Sequence, residues 1–161
     1  MYVRKTRKED LSQIAEIYKN AKKFMKENGN PTQWRGDYPN EFDAEQDIEK
    51  GIGYVCVDGE DVVGVFAFIE GVDPTYVHIY DGAWLDDKRY AAVHRIATLT
   101  QGKGVAKVCF DYCFQKCQNL KIDTHEDNLP MQKALIKNGF QYCGVIYLPN
   151  GEKRIAYQKN S

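Results

Sequence analysis

The fold is decided by the segment His94-Arg95-Ile96-Ala97-Thr98-Leu99-Thr100-Gln101-Gly102-Lys103-Gly104-Val105-Ala106. A strand pattern over Tyr90–Thr98 runs into a glycine-containing turn, and the turn opens a helix. Backbone amides in the first turn of a helix have no partner within it, and the helix dipole adds positive potential there. Glycines let a ligand approach the backbone closely, and Lys103 adds a cation. The segment therefore predicts a site for a phosphate group.

Two common phosphate loops do not fit this segment. A P-loop requires GxxxxGK[ST], which the sequence lacks. A dinucleotide fingerprint requires GxGxxG, but Lys107 occupies the position of the third glycine. A lone GxG is weak by itself, since it is more often simply a turn.

Further elements are predicted before this segment. They are a strand at Tyr2–Arg4, a helix that starts at Thr6 and ends near Asn28-Gly29, a helix over Glu41–Lys50, and a hairpin of Tyr54–Val57 with Val62–Ile69. Thr6 and Glu9 have the spacing of a capping box. Tyr76–Tyr80 is a candidate for one more strand, and a helix is the alternative for Ala91–Val93.

After the segment come a strand, a helix and a hairpin. These are Leu120–Thr124, Asn128–Lys137 closed by Gly139, and Phe140–Leu148 with Arg154–Gln158 over a turn at Asn150-Gly151. Helices and strands in this order predict a mixed sheet with helices on both faces.

Composition points to one ordinary globular domain over residues 1–161. The 22 basic and 23 acidic residues give a net charge of -1, and so no broad field that would attract nucleic acid or anionic lipid. No apolar stretch approaches the ~20 residues of a membrane helix, and Met1–Lys5 lacks a signal-peptide pattern, so we expect a cytoplasmic protein. Cysteines recur every four residues at 109, 113 and 117, on one side of a helix. We interpret them as small hydrophobic residues on or near a buried face, which is favoured over a metal or redox site.

Two motifs resemble the GNAT acyltransferase superfamily. Gln101–Ala106 resembles its (Gln/Arg)-x-x-Gly-x-(Gly/Ala) pyrophosphate loop. His125–Gln132 with Ala134–Phe140 resembles its asparagine-containing strand-to-helix turn and closing Gly-Phe. The resemblance covers nearly the whole chain and implies an α+β fold, with a mixed, mostly antiparallel central sheet of six to seven strands and helices on both faces.

The resemblance implies a binding site for acetyl-CoA, with no metal. The backbone of Ile96, Ala97 and Thr98 would pair with the pantetheine arm, and Asn128 would bind that arm as well. The pyrophosphate would be held by the loop residues Gln101, Gly102, Lys103, Gly104, Val105 and Ala106. The implied reaction is direct transfer of an acetyl group to an amine within a ternary complex.

His94 is the first candidate for the general base, because it lies on the strand beside the cofactor and titrates near neutral pH. Arylalkylamine N-acetyltransferases are similar in having a histidine at a similar strand position. A histidine packed in the sheet is the alternative. Many family members place a tyrosine acid four residues before the glycine of Gly-Phe, where this chain has Leu135. Tyr142, Tyr147 or solvent would then protonate the thiolate, and Tyr147 is our candidate.

The acceptor pocket is predicted from aromatic residues. Trp34 and Tyr38 lie on a loop that forms part of this pocket in the family, and Tyr80 is a third candidate. A lid packed on the core is the alternative for Trp34. The acceptor would be a small molecule, an amino acid or a peptide, and a homodimer stays open by analogy. A non-catalytic acyl-CoA sensor on the same fold is the alternative function, which the missing tyrosine favours.

Overall fold

Seven strands form one sheet in the computed structural model, which describes residues 1–161. The strands are β1 (Tyr2–Lys5), β2 (Gly53–Asp58), β3 (Asp61–Glu70), β4 (Ala91–Thr98), β5 (Asn119–Thr124), β6 (Gln141–Tyr147) and β7 (Lys153–Asn160). The helices are α1 (Leu11–Glu27), α2 (Glu41–Lys50), α3 (Val105–Lys116) and α4 (Leu129–Lys137). The strand order is β1-β2-β3-β4-β5-β7-β6, which confirms the mixed, mostly antiparallel sheet.

The parallel pair β4 and β5 joins the two halves of the sheet and then separates. Their register contains only two pairs, Ala91 with Leu120 and Ala92 with Lys121. Beyond Ala92, the edge of β4 that faces β5 has no strand partner. The two strands therefore diverge into a cleft.

A bulge in β4 lies beside this cleft. Val65 of β3 pairs with Ala97 and Ala67 pairs with His94, so β4 contains one residue more than β3 between these pairs. Arg95 takes up the extra length with a φ of 49°, which is uncommon for a residue with a side chain. The bulge lets His94 and Arg95 reach separate polar partners although they are consecutive.

Helices cover both faces of the sheet, as predicted. The amphipathic stripe of α1 buries Ile14, Ile17 and Tyr18 against strand residues that include Val62 and Val65 of β3. On the other face, α3 and α4 bury a second cluster that includes Phe66, Cys109, Phe110, Cys113 and Leu135. Strand β3 is apolar on both faces because it contributes to both clusters.

Cysteines 109 and 113 are fully buried in this second cluster, which confirms them as small core residues. No group of three or more His, Cys, Asp or Glu side chains converges in a way that would hold a metal ion. None of the helices combines the length and apolar character needed to cross a membrane.

Two local predictions were wrong. The capping box predicted at Thr6 is absent; one residue later the Asp10 carboxylate accepts from the Arg7 amide at 2.7 Å, but the Arg7 side chain has only donors and caps nothing in return. Thr6 instead extends the sheet, since its amide donates to Gly53. The region Tyr76–Tyr80 is not a strand: Asp73 caps a 3-10 turn over Pro74–Tyr76, and only Tyr80 forms a bridge, with Val145. Proline at the start of the turn and the capping aspartate favour the turn over an extended chain.

The helix predicted to start at Thr6 is preceded by a 3-10 turn over Lys8–Asp10, and α1 itself begins at Leu11. The other elements match the predictions within one or two residues. Ala91–Val93 is strand rather than helix, because β3 and β5 pair with it on both sides. The final hairpin turns at Asn150-Gly151, where Gly151 has a φ of 85°.

Candidate active site

The cleft between β4 and β5 contains three connected spaces. The outer pocket, about 230 Å³, is lined by Thr98 and the loop from Thr100 to Lys107 together with the end of α4. The channel, about 70 Å³, runs along the open edge of β4. The inner cavity, about 240 Å³, lies deeper. Met25, Ile96, Asn128 and Met131 line both the channel and the inner cavity, so these two spaces are continuous.

The outer pocket is built from backbone. Gly102 and Gly104 have φ values of 75° and 77°, in the left-handed region that side chains disfavour. Gly104 is also the N-cap of α3, where no side chain caps the helix, so the first amides of α3 remain available as donors. Lys103 and Lys137 line the same pocket and have no acidic partner. The pocket thus offers unpaired amides, a helix N-terminus and cations to a phosphate group.

The channel gathers the other residues predicted to bind acetyl-CoA. Ile96, Ala97, Thr98 and Asn128 all line it. The peptide groups of Ile96–Thr98 on the side of β5 have no strand partner, so an extended ligand with amide groups can pair with them.

Asn128 already makes two side-chain hydrogen bonds within the protein. Its Oδ1 caps α4 by accepting from the Met131 amide at 3.1 Å, and its Nδ2 donates to Oε1 of Gln33 at 2.9 Å. Gln33 belongs to the loop between α1 and α2, which also carries Trp34 and Tyr38. The hydrogen bond from Asn128 to Gln33 therefore holds this loop in place across the cleft.

A carboxylate and an imidazole are paired in the inner cavity. Nε2 of His94 lies 2.8 Å from Oδ2 of Asp73. Burial opposes ionisation of Asp73, but hydrogen bonds from His94 and Thr75 outweigh it and lower the pKa of Asp73 to about 2. With the Nε2 proton directed at Asp73, Nδ1 of His94 is left as the basic nitrogen. His94 is thus held by a neighbour and also lines the cavity.

A second carboxylate, Asp123 of β5, also lines the inner cavity. The buried hydroxyl of Tyr76 donates to Oδ1 of Asp123 at 2.5 Å. Burial raises the pKa of Asp123, although the nearby His94 and the Tyr76 hydroxyl offset part of that effect. The ring of Tyr76 also packs against His94, with centroids 5.9 Å apart. Tyr76 therefore contacts both polar groups.

Two arginines of the inner cavity are paired with acids. Nη2 of Arg95 lies 2.5 Å from Oδ1 of Asp47 in α2. Nη2 of Arg154 lies 3.1 Å from Oε2 of Glu152 and also donates to the Gln33 carbonyl. Each guanidinium thus has an acidic partner, and Glu152 is shared with the exposed Arg35.

The aromatic residues divide into two groups. Trp34 lines the cavity and packs edge-to-face on Tyr18 at 6.1 Å, so it is both a pocket wall and a lid on the core. Tyr38 lines the same cavity at its exposed rim. Tyr147 and Tyr80 pack on each other at 5.4 Å and do not line the inner cavity. The cleft therefore brings His94, Trp34 and Tyr38 together but leaves out Tyr147 and Tyr80.

Among the residues that sequence reasoning missed are Asp73, Asp123 and Arg154, which line the inner cavity, and Tyr76, whose hydroxyl donates to Asp123. Asp123 had one available signal, an acid within the strand that follows the phosphate loop. The others lie in a turn and in the final strand, where nothing in the local pattern indicates a site.

Known structures match the chain along its length. A GNAT-family acetyltransferase from Streptococcus agalactiae is 33% identical, with a TM-score of 0.90 over 99% of this chain and 94% of that one. A putative acetyltransferase from Staphylococcus aureus is 25% identical, with a TM-score of 0.69 over 98% and 97%. GphF, a GNAT-like decarboxylase solved with isobutyryl-CoA, shares the fold alone, at 12% identity and a TM-score of 0.66 over 99% of each chain.

No protein-family model matches the sequence, and no curated protein is significantly similar to it. The fold, the diverging strands and the phosphate loop define the class of the protein as an acyltransferase. The chain belongs to the GNAT family of acetyltransferases.

Proposed function

We propose that this protein transfers the acetyl group of acetyl-CoA to the amine of a small molecule, an amino acid or a peptide, within a ternary complex in the cytoplasm. The continuity of the cleft carries the proposal. Its outer end is a phosphate-binding loop, and its inner end holds an imidazole paired with a carboxylate. A nucleotide thioester anchored at the first end would present its acyl group at the second.

The residues present fit acetyl-CoA. The amides from Gly102 to Ala106 would hold the pyrophosphate, with Gln101 and Lys103 beside them. A Cβ at Gly102 or Gly104 would meet nothing within 4 Å, so the loop is open to a ligand. The free edge of β4 from Ile96 to Thr98 would pair with the pantetheine arm. Acetyl-CoA, when bound, supplies an acetyl carbon that accepts the amine nitrogen as the carbon–sulfur bond breaks.

His94 would act as the general base. The acceptor amine is mostly protonated near neutral pH, and an ammonium group is no nucleophile. Nδ1 of His94 would take the proton, while Asp73 fixes the tautomer and stabilises the imidazolium that forms. Asp73 is therefore a positioning residue.

The tyrosine that many family members use to protonate the leaving thiolate is absent here. The usual position is Leu135, which is fully buried in the core, and Tyr147 lies outside the inner cavity. A thiolate is a weak enough base to leave without an acid near neutral pH, so solvent would protonate it. Leu135 is also the observation that favours the second candidate function, an acyl-CoA sensor without activity.

Two measurements test these functions. Acetyl-CoA should raise the melting temperature, and free CoA should appear when amines are added. Binding without CoA release from any amine would favour the sensor. The His94→Gln variant should lose about 100-fold in kcat and the titration of the base in the pH–rate profile, while its affinity for acetyl-CoA stays unchanged.

The matched control is His78→Gln, which removes an exposed histidine outside the inner cavity. It should leave kcat and the pH profile as they are. An unaltered pH profile in His94→Gln would remove His94 from the mechanism.

A further inference from the structure

We propose that Asp123 recognises the acceptor, and that the acceptor is a small organic cation whose ammonium group has no neighbouring carboxylate. This inference rests on the proposed transfer to an amine and narrows its substrate class. Four features of the inner cavity support it.

The first feature is the position of Asp123. It lies on β5 two residues beyond Lys121, the last residue of β5 that pairs with β4. Its side chain therefore enters the cleft just after the two strands separate, in the cavity that also holds His94. A group bound to Asp123 would lie within reach of the proposed base.

The second feature is the unused hydrogen-bonding capacity of this carboxylate. Oδ1 accepts from Tyr76, whose own burial holds the carboxylate in a fixed orientation, and Oδ2 accepts no hydrogen bond from the protein. Asp73 differs, because its Oδ1 accepts from the amide and hydroxyl of Thr75 and its Oδ2 contacts His94. Asp123 is thus the cavity carboxylate with an oxygen left for a ligand.

The third feature is the charge of the cavity. Arg95 is paired with Asp47, and Arg154 shares Glu152 with Arg35. Both arginines of the cavity thus have an acidic partner, while Asp73 and Asp123 share a single imidazole. No cation contacts Asp123 directly, so an ammonium ligand would offset the cost of burying its charge.

The fourth feature is the aromatic wall. Trp34 and Tyr38 line the same cavity, and aromatic faces attract cations. An amino acid would bring its α-carboxylate into this acidic and aromatic space, where both arginines already have an acidic partner in the protein. The cavity chemistry therefore favours an amine over the corresponding amino acid.

The experiment compares amines with their carboxylated counterparts at saturating acetyl-CoA. The pairs are pentylamine with norleucine, and phenylethylamine with phenylalanine. Wild-type protein should show a kcat/KM at least about 100-fold higher for each amine, because an uncompensated charge in a buried site costs about 3 kcal/mol or more. Equal use of both members of each pair would overturn the inference.

The variants test Asp123 itself. Asp123→Asn keeps the acceptor for Tyr76 but removes the charge, and should raise KM for the amines at least about 10-fold with an unchanged affinity for acetyl-CoA. Tyr76→Phe keeps the charge and should retain the preference for amines. Asp87→Asn, at an exposed aspartate outside the cavity, is the control. Wild-type KM values in Asp123→Asn would contradict the assignment.

A binding measurement separates this inference from the proposed function. Calorimetry follows pentylamine binding to protein saturated with CoA, and needs no turnover. If wild-type protein binds the amine and Asp123→Asn does not, the recognition role stands even where no CoA is released and the transferase function fails. If no amine binds wild-type protein, or if both proteins bind it equally, the role of Asp123 is refuted.

Discussion

The outer pocket and the inner cavity are built in different ways. The outer pocket draws on one continuous loop, Thr100–Lys107, and most of its donors are backbone amides. The inner cavity draws on side chains from α1 and α4, from the α1–α2 and β3–β4 loops, and from β4, β5 and β7. A backbone site tolerates almost any side chain but depends on φ and ψ, whereas a side-chain site depends on residue identity and on tertiary placement. The two regions should therefore fail in different ways when they are altered.

The largest effect is expected from a β-branched residue in the loop. Gly104→Val forces a residue with a side chain to a φ of 77° at the start of α3. The left-handed conformation costs about 1–2 kcal/mol, and relaxing it would turn the first amides of α3 away from the pocket. We expect affinity for acetyl-CoA to fall at least about 10-fold, measured by calorimetry.

Gly59→Val provides the control for this substitution. Gly59 has a similar φ of 62° and open space around its Cα, but it lies in the β2–β3 turn. It should lose similar stability with no change in affinity for acetyl-CoA. Equal affinity losses in the two variants would mean that the backbone of the loop is not the binding element.

The dependence of the unfolding free energy on pH should report the ionisation of Asp73 in the inner cavity. Asp73 has a pKa of about 2 in the folded chain against 3.8 as the ordinary value, so its ionised form stabilises the fold above pH 4. This stabilisation is lost as the pH falls through about 2. Between pH 6 and pH 3, the difference in unfolding free energy between wild type and Asp73→Asn should shrink by about 1 kcal/mol.

Urea unfolding at several pH values measures this difference. Asp87→Asn serves as the reference, because the side chain of Asp87 is exposed. If the difference in unfolding free energy between wild type and Asp73→Asn does not change with pH, the His94–Asp73 pair does not form in solution.

The smallest effect is expected where the two regions meet. Gln33→Ala removes the acceptor that the side-chain amides of Asn128 and Asn30 share, and frees the loop that carries Trp34. The loss of these two partly buried hydrogen bonds should cost about 1–2 kcal/mol of stability. KM for the acceptor should rise a few-fold while affinity for acetyl-CoA stays the same.

Asn28→Ala is the control for Gln33→Ala. It removes a side-chain bond at the exposed end of α1, where Nδ2 of Asn28 donates to the Phe24 carbonyl, and should leave both constants unchanged. A change in acetyl-CoA affinity in Gln33→Ala alone would mean that Gln33 controls Asn128 rather than the acceptor loop.

The comparison also explains what could be predicted. The loop from Gln101 to Ala106 could be predicted because its glycines and the start of α3 are adjacent in the sequence. His94 was predicted as a site residue on the same grounds, since it lies on the strand that feeds the loop. Asp73 and Asp123 were not predicted, because they lie 21 residues before and 29 residues after His94, and only the sheet brings them together.

The residues that the sequence analysis placed wrongly also depend on contacts between distant parts of the chain. Tyr147 and Tyr80 were chosen for their chemistry, but Tyr147 lies on the edge strand β6 and Tyr80 bridges to Val145 of that strand, so neither lines the inner cavity. The capping box predicted at Thr6 does not form, because the Thr6 amide donates to Gly53 in the sheet, a contact between distant segments.

The sequence by itself determined the element order, the amphipathic helices, the turn at Asn150-Gly151 and the backbone loop that opens α3, because these depend on periodicity and on φ preferences of neighbouring residues. The tertiary structure alone decided where β4 and β5 separate, that the bulge at Arg95 lets His94 reach Asp73, and that Asp123 keeps an oxygen free in the cavity. These are relations between side chains far apart in the chain, and no local preference encodes them.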